Sequence, residues 1–212
     1  PDDWLVAFAV WDDTKALGWA RLTANRTQNP HWAGLWMAAD PSLAPKETEQ
    51  VYQALWSAAW PEAQAQGVTV VGASGMSRLP DYEQFLTRAG FRQTLSTAEY
   101  RLELNRVNAE QLRVWQTCPE NDPYRLHRWE RIPEEYLERM ASLMEVINDM
   151  PRGDSERGER RATPQRIRDK EQLLAAQEER RFTVAAEDTE TRELVGYTEV
   201  YWGPERPELA MQ

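Results

Sequence analysis

The sequence predicts a mixed α/β fold of the α+β kind, a central and mostly antiparallel sheet flanked by helices. Three observations predict it. Short β-prone apolar runs come in pairs joined by acidic turns, at 4–22 and 181–202. Helical periodicities separate the strand runs, at 47–66, at 133–150 and after Thr163. The two paired runs also resemble each other. Each reads apolar strand, acidic turn, then aliphatic-Gly-aromatic: Leu17-Gly18-Trp19 in the first, Val195-Gly196-Tyr197 in the second.

Taken in order, residues 4–11 are apolar, Asp12-Asp13-Thr14-Lys15 supply turn chemistry, and an extended run resumes at Leu17. A third strand, 33–39, should stop at Asp40-Pro41, because Pro lacks the N–H a ladder needs and restricts the residue before it. Glu47 to Gln66 is the first helix, with Val51, Leu55, Ala58 and Ala59 on one face. Pro61 should kink or split it, and Gly67 caps it. Val68 to Ala73 reads as a buried strand, Pro80 to Arg88 as a helix ended by Gly90, and Phe91 onward as strand again. Thr97 to Leu104 alternates. A short helix, 109–115, leads into the loop-rich Pro119 to Pro123. Tyr124 to Glu130 alternates as a strand. From Pro133, apolar residues recur at three and four as far as Met150. Thr163 and Pro164 are cap and first residue of a charged helix running to about Arg181.

The chain has 212 residues and a net charge of −10. An acidic surface repels phosphate backbones, so no nucleic-acid partner is expected. No apolar run approaches the roughly 20 residues of a membrane span, and no membrane partner is expected. One cysteine, Cys118, excludes an intrachain disulfide, and two histidines make a multi-His metal site improbable. A cytoplasmic, metal-free protein is the expectation. The sequence opens on Pro1 rather than Met, which fits a piece of a longer protein.

In order and spacing, these features resemble the GNAT superfamily of acetyl-CoA-dependent N-acetyltransferases. Leu17-Gly18-Trp19, Asp40-Pro41, Gly67 and Ala89-Gly90-Phe91 occupy the family's places in turn, and 124–202 resembles the front of a second copy. The resemblance implies two incomplete copies. Residues 1–105 are the C-terminal portion of a first GNAT-like domain with a vestigial CoA loop, 106–123 a linker, and 124–212 the N-terminal portion of a second domain. It also implies acetyl-CoA as co-substrate and a small-molecule amine or N-terminal amine as acceptor, and it leaves room for a homo-oligomer.

The family holds the CoA pyrophosphate on a glycine-rich loop opening a helix, and commonly uses a Tyr to protonate the leaving thiolate. The first copy departs at both points. Ser42 to Glu49 contains no glycine, Pro45 removes a donor, and Glu47 and Glu49 would repel phosphate. Leu86 stands where the Tyr is expected, and Tyr82 and Phe85 read as packing. The second copy's loop, last helix and Tyr would lie beyond Gln212, so no cofactor-binding residue is assigned.

What remains is the acceptor side of the second copy. Glu199 is the catalytic candidate, as a base or to position the amine; Tyr197, two residues away, shares its face. The bland alternative is a solvent-facing Glu199 and a core Tyr197. Asp149, Gly153 and Asp154 are the substrate-binding candidates, since two carboxylates beside a glycine suit an amine; the alternative is a plain helix stop. His31 faces the site or closes a turn. Arg157, Arg160, Arg161, Arg166 and Arg168 contact phosphates or form a solvated face. The functional expectation is an N-acetyltransferase with catalysis in the second copy. The alternatives are a non-catalytic GNAT-like binding or scaffold module, and a permuted or swapped single domain.

Overall fold

The computed structural model describes residues 3–117, 123–151 and 153–212. The expected roles of Cys118, Pro119 to Asp122 and Arg152 lie outside the described residues. The chain forms two compact units, Pro1–Thr97 with Pro151–Glu159, and Ala98–Met150 with Arg160–Gln212.

The first unit is a four-stranded sheet in the order β1 (Asp3–Trp11), β2 (Ala16–Asn25), β3 (Trp32–Ala39), β4 (Val70–Ala73). The first three strands are antiparallel and β4 is parallel to β3. That parallel step needs a crossover, which is α1 (Pro45–Ala65). Val51, Tyr52, Leu55, Ala59 and Ala63 form the helix's buried face and pack on Ala20, Leu22, Ala33, Leu35 and Met37 of the sheet. Pro61 removes one hydrogen bond but does not split the helix; buried Ala63, beyond it, belongs to the same core.

Gly67 ends α1 with φ at +79°, its N–H donating to Gln64 O and that of Val68 to Ala63 O. Gly90 ends α2 (Pro80–Arg88) in the same way, with Gly90 N–H to Thr87 O and Phe91 N–H to Leu86 O. Both are the paired stop that a left-handed glycine allows.

In the second unit β5 (Tyr124–Trp129), β6 (Arg180–Asp188) and β7 (Leu194–Trp202) form an antiparallel sheet in that order. A bridge between Tyr201 and Met211 adds to its β7 edge. α4 (Leu137–Met144) and α5 (Pro164–Ala176) pack Leu137, Met140, Leu143 and Ile167 with Ala185 and Leu194. Thr163 caps α5, accepting from the Arg166 N–H at 3.2 Å.

Three expectations are corrected. No strand forms from Phe91 through Leu104, the 97–104 alternation included: Tyr100 is 92% exposed, Leu102 and Leu104 are exposed, and alternation without a partner strand or a buried face does not hold a strand. A short helix, α3 (Ala109–Gln116), follows, capped by Asn108. The helix expected through Met150 loosens into a 3₁₀ turn after Met144, where Ile147 and Met150 face solvent. The helix expected to reach Arg181 stops at Ala176. Its stop is again the paired kind, Glu179 N–H to Leu174 O and Glu178 N–H to Ala175 O, but Glu178 rather than glycine takes the left-handed turn, at φ +56°.

Both hairpins are antiparallel, as expected, and they share a defect. In the first, Val10 faces Gly18 and Trp11 faces Ala16, so Leu17 is an extra residue. In the second, Ala186 faces Gly196 and Glu187 faces Leu194, so Val195 is extra. Each hairpin carries one bulge immediately before its glycine.

Candidate functional site

Two places could carry chemistry, one in each unit. In the first unit, β4 pairs with β3 only from Trp32 to Leu35, so Trp36 to Ala39 run on without a β4 partner. The chain then turns through Asp40 into α1. Asp40 accepts from Ser42 N–H at 2.8 Å, Ser42 Oγ at 2.7 Å and Lys15 Nζ at 2.9 Å. The Ser42 contacts, with Lys15 behind them, hold its carboxyl at a pKa of about 2.

The N-terminus of α1 would be the anion site, and its residues do not fit one. Ala44 donates its N–H to Glu47 Oε2 at 3.0 Å, and Pro45 has no N–H to give. Glu47 thus places the protein's own carboxylate where a phosphate would sit. Inside, burial pushes the Tyr52 phenol up while a hydrogen bond with the Ala39 backbone works against it. Tyr82 packs on Tyr52 with ring centroids 5.1 Å apart. Its hydroxyl is buried without a partner, and burial pushes it up to about 12. Leu86, where a Tyr was expected, is buried in the same core.

The second place lies under α5. Tyr197 and Glu199 face Ala185 and Thr183 across the β6–β7 ladder and so share a face. Glu199 is not solvent-facing. Its Oε1 lies 3.3 Å from Arg181 Nη1 and accepts from Thr183 Oγ1 at 3.4 Å; its Oε2 accepts from the Tyr201 hydroxyl and lies 3.6 Å from Lys170 Nζ. Tyr197 is the more exposed of the two, and partial burial with Glu199 nearby raises its phenol.

Arg181 is 2% exposed and also bonds Glu171 Oε1 at 2.7 Å. Glu171 in turn accepts from the Ile132 N–H and from Arg168, which also reaches Glu134 at 2.7 Å. Arg168 is therefore engaged within its own unit. Desolvation lowers the Lys170 ammonium, with Glu199 pulling the other way, and Tyr201 is raised by burial and by Glu199.

The remaining candidates fall elsewhere. Asp149 is exposed in the second unit. Gly153 and Asp154 belong to the first unit, where Gly153 has φ +55° and the Asp154 N–H points at Thr94 O, 3.4 Å away. His31 Nε2 lies 3.2 Å from Glu156 O, and Arg157 stacks over Trp32 at 4.3 Å.

The second unit holds another buried pair. Glu187 is fully buried; desolvation works to raise it, but the contact with His127 and the Arg192 guanidinium 2.7 Å away outweigh this, and its pKa is lowered. Sequence reasoning missed Lys170, Arg181 and Tyr201 beside Glu199. Alternation along β6 and β7 places Arg181, Tyr201 and Glu199 on one face and could have found two of them.

No protein-family model matches the sequence, and no curated protein matches it. Among solved structures, the chain is similar to a tandem GNAT protein from the clavulanic acid biosynthesis pathway, at a TM-score of 0.66 and 19% identity. The match covers 96% of this chain and 60% of that one. It is also aligned with AAC(6′)-Iy in complex with a bisubstrate analogue, at a TM-score of 0.37 and 18% identity over 47% of this chain and 69% of that one. FemX is a further match, at a TM-score of 0.39 and 15% identity over 86% of this chain and 48% of that one. The chain thus spans about 60% of the length of the tandem GNAT structure it matches over nearly all of its own residues.

Proposed function

We propose that this chain, which has the GNAT fold, is part of a tandem N-acetyltransferase that moves acetyl from acetyl-CoA to an amine, with the first copy a scaffold and the chemistry in the second. The observation that carries the reading is the shared bulge: Leu17 before Gly18 and Val195 before Gly196 support reading the two hairpins as related copies. The scaffold role of the first copy rests on Glu47 at the Ala44 N–H, Pro45, Tyr52 against the Ala39 backbone, and Leu86.

In the second copy Glu199 is the group we place nearest the acceptor. Both its oxygens are engaged, by Arg181 and Thr183 on one side and Tyr201 and Lys170 on the other, so it would act through Tyr201 and Lys170 rather than as a free base. Tyr197, on the same face and more exposed, and Asp149, exposed in the same unit, are the residues proposed to meet the amine. Gly153 and Asp154 sit against Thr94 in the first unit and take no part in this reading.

The test is thiol release from acetyl-CoA by the protein encoded in the whole reading frame, against a panel of primary amines. Amine-dependent release is expected, and Glu199→Gln should lower kcat/KM by roughly 10²-fold if Glu199 takes part in proton transfer. Absence of release with every amine would favour the non-catalytic scaffold reading, whose support is the closed N-terminus of α1.

A further inference from the structure

Three lysines occur in the chain, Lys15, Lys46 and Lys170, and they sit in three different settings. Lys15 is tied to Asp40 at 2.9 Å, an ion pair that keeps its amine protonated. Lys46 is exposed in the first turn of α1. Lys170 is half-buried. Its Nζ donates to the Tyr201 hydroxyl, lies 4.7 Å from the centre of the Tyr201 ring, and stands 3.6 Å from the Glu199 carboxylate. The charged groups facing it are Glu199 and Arg181 from the sheet and Arg160 from the segment before α5.

We propose that Lys170 is an acylation site, its Nζ accepting acetyl from acetyl thioesters, with Tyr201 fixing the amine and Glu199 receiving its proton. A nucleophilic amine must be neutral, placed and next to a base. Burial together with Arg181 and Arg160 disfavours the ammonium. Tyr201 holds the nitrogen, and Glu199 Oε2 is the nearest carboxylate oxygen.

The ammonium first loses a proton to solvent. The nitrogen lone pair then attacks the thioester carbonyl carbon, the N–C bond forms, and the C–S bond breaks. The thiolate leaves with the electron pair. Of the two protons the amine brought, one stays as the amide N–H; the surplus one passes from the cationic nitrogen of the adduct to Glu199 and from there, through solvent, to the thiolate. The products are an N-acetyl-lysine and a free thiol. Acetylation removes one of the two cations beside Glu199 and leaves Arg181 as its partner. The choice of donor rests on the acetyltransferase reading above, whereas the reactivity of the lysine does not.

The experiment treats the chain with S-acetyl-N-acetylcysteamine, and in parallel with acetyl-CoA, between about pH 7 and pH 10, and maps the three lysine peptides by mass spectrometry. Lys170 is expected to react severalfold faster than Lys46 at the low end. With its ammonium disfavoured by burial, Lys170 is neutral in larger part at a given pH, and its rate should level off at a lower pH than that of an ordinary lysine. In chain unfolded by urea the preference should vanish. Lys46 leading at every pH would overturn the proposal, as would a preference for Lys170 that survives unfolding. Tyr201→Phe should reduce the Lys170 to Lys46 ratio. The acetyltransferase test reads an external amine, so either result can fail without the other.

Discussion

The two hairpins share the same bulge, yet they bury opposite faces. In the first, Phe8, Gly18, Ala20 and Leu22 turn toward the core with α1, while Trp11 and Trp19 on the other face are 67% and 48% exposed. In the second, the positions matching that outer face are Arg181, Thr183, Ala185 and Glu187, and all four are buried. The glycines show the contrast most sharply. A Cβ on Gly18 would meet Val51 Cγ1 at 2.5 Å and Ala38 O at 2.8 Å, whereas on Gly196 it would meet nothing within 4 Å. The lesson is that a strand pattern specifies a hairpin, while the helices it meets decide which face becomes the core. One buried face is apolar and the other is held by charged pairs.

The largest expected effect separates the matched positions Leu22 and Val200. Leu22→Ala opens a cavity in a fully buried site and should cost about 2–5 kcal/mol. Val200→Ala, on the more open face, should cost about 1 kcal/mol or less. Urea unfolding with amide exchange read separately in each hairpin checks both, and equal costs would break the comparison. Next come the glycines. Gly18→Ala forces an overlap with α1 and with the Ala38 backbone and should cost about 1–3 kcal/mol, while Gly196→Ala should stay within about 0.5 kcal/mol. The smallest effect has the opposite sign. Tyr82→Phe removes a buried hydroxyl without a partner and should raise the stability of the first unit by about 1 kcal/mol, seen as a higher urea midpoint.

The hairpins, α1, α2 and both glycine stops were legible because turns, alternation and left-handed glycines are local signals. The end of α5 was not, since Glu178 makes a glycine's turn without being glycine. Residues 97–104 misled because alternation describes a strand only when another strand receives it. Around Glu199 the local pattern placed Tyr197 on its face, but Lys170 and Arg181 reach it from α5 and β6, 29 and 18 positions away, and no spacing rule connects them. At the start of α1 the missing glycines and Glu47 were visible, and the geometry adds that Glu47 occupies the Ala44 N–H itself.

The central claim is the proposal that the helix following β3 does not hold CoA. Isothermal titration of acetyl-CoA into the 212-residue chain tests it most directly. With Glu47 on the Ala44 N–H, Pro45 beside it and Tyr52 at the end of β3, no saturable heat is expected at concentrations up to about 1 mM, a limit of about −4 kcal/mol. A micromolar Kd, about −8 kcal/mol, would contradict the account.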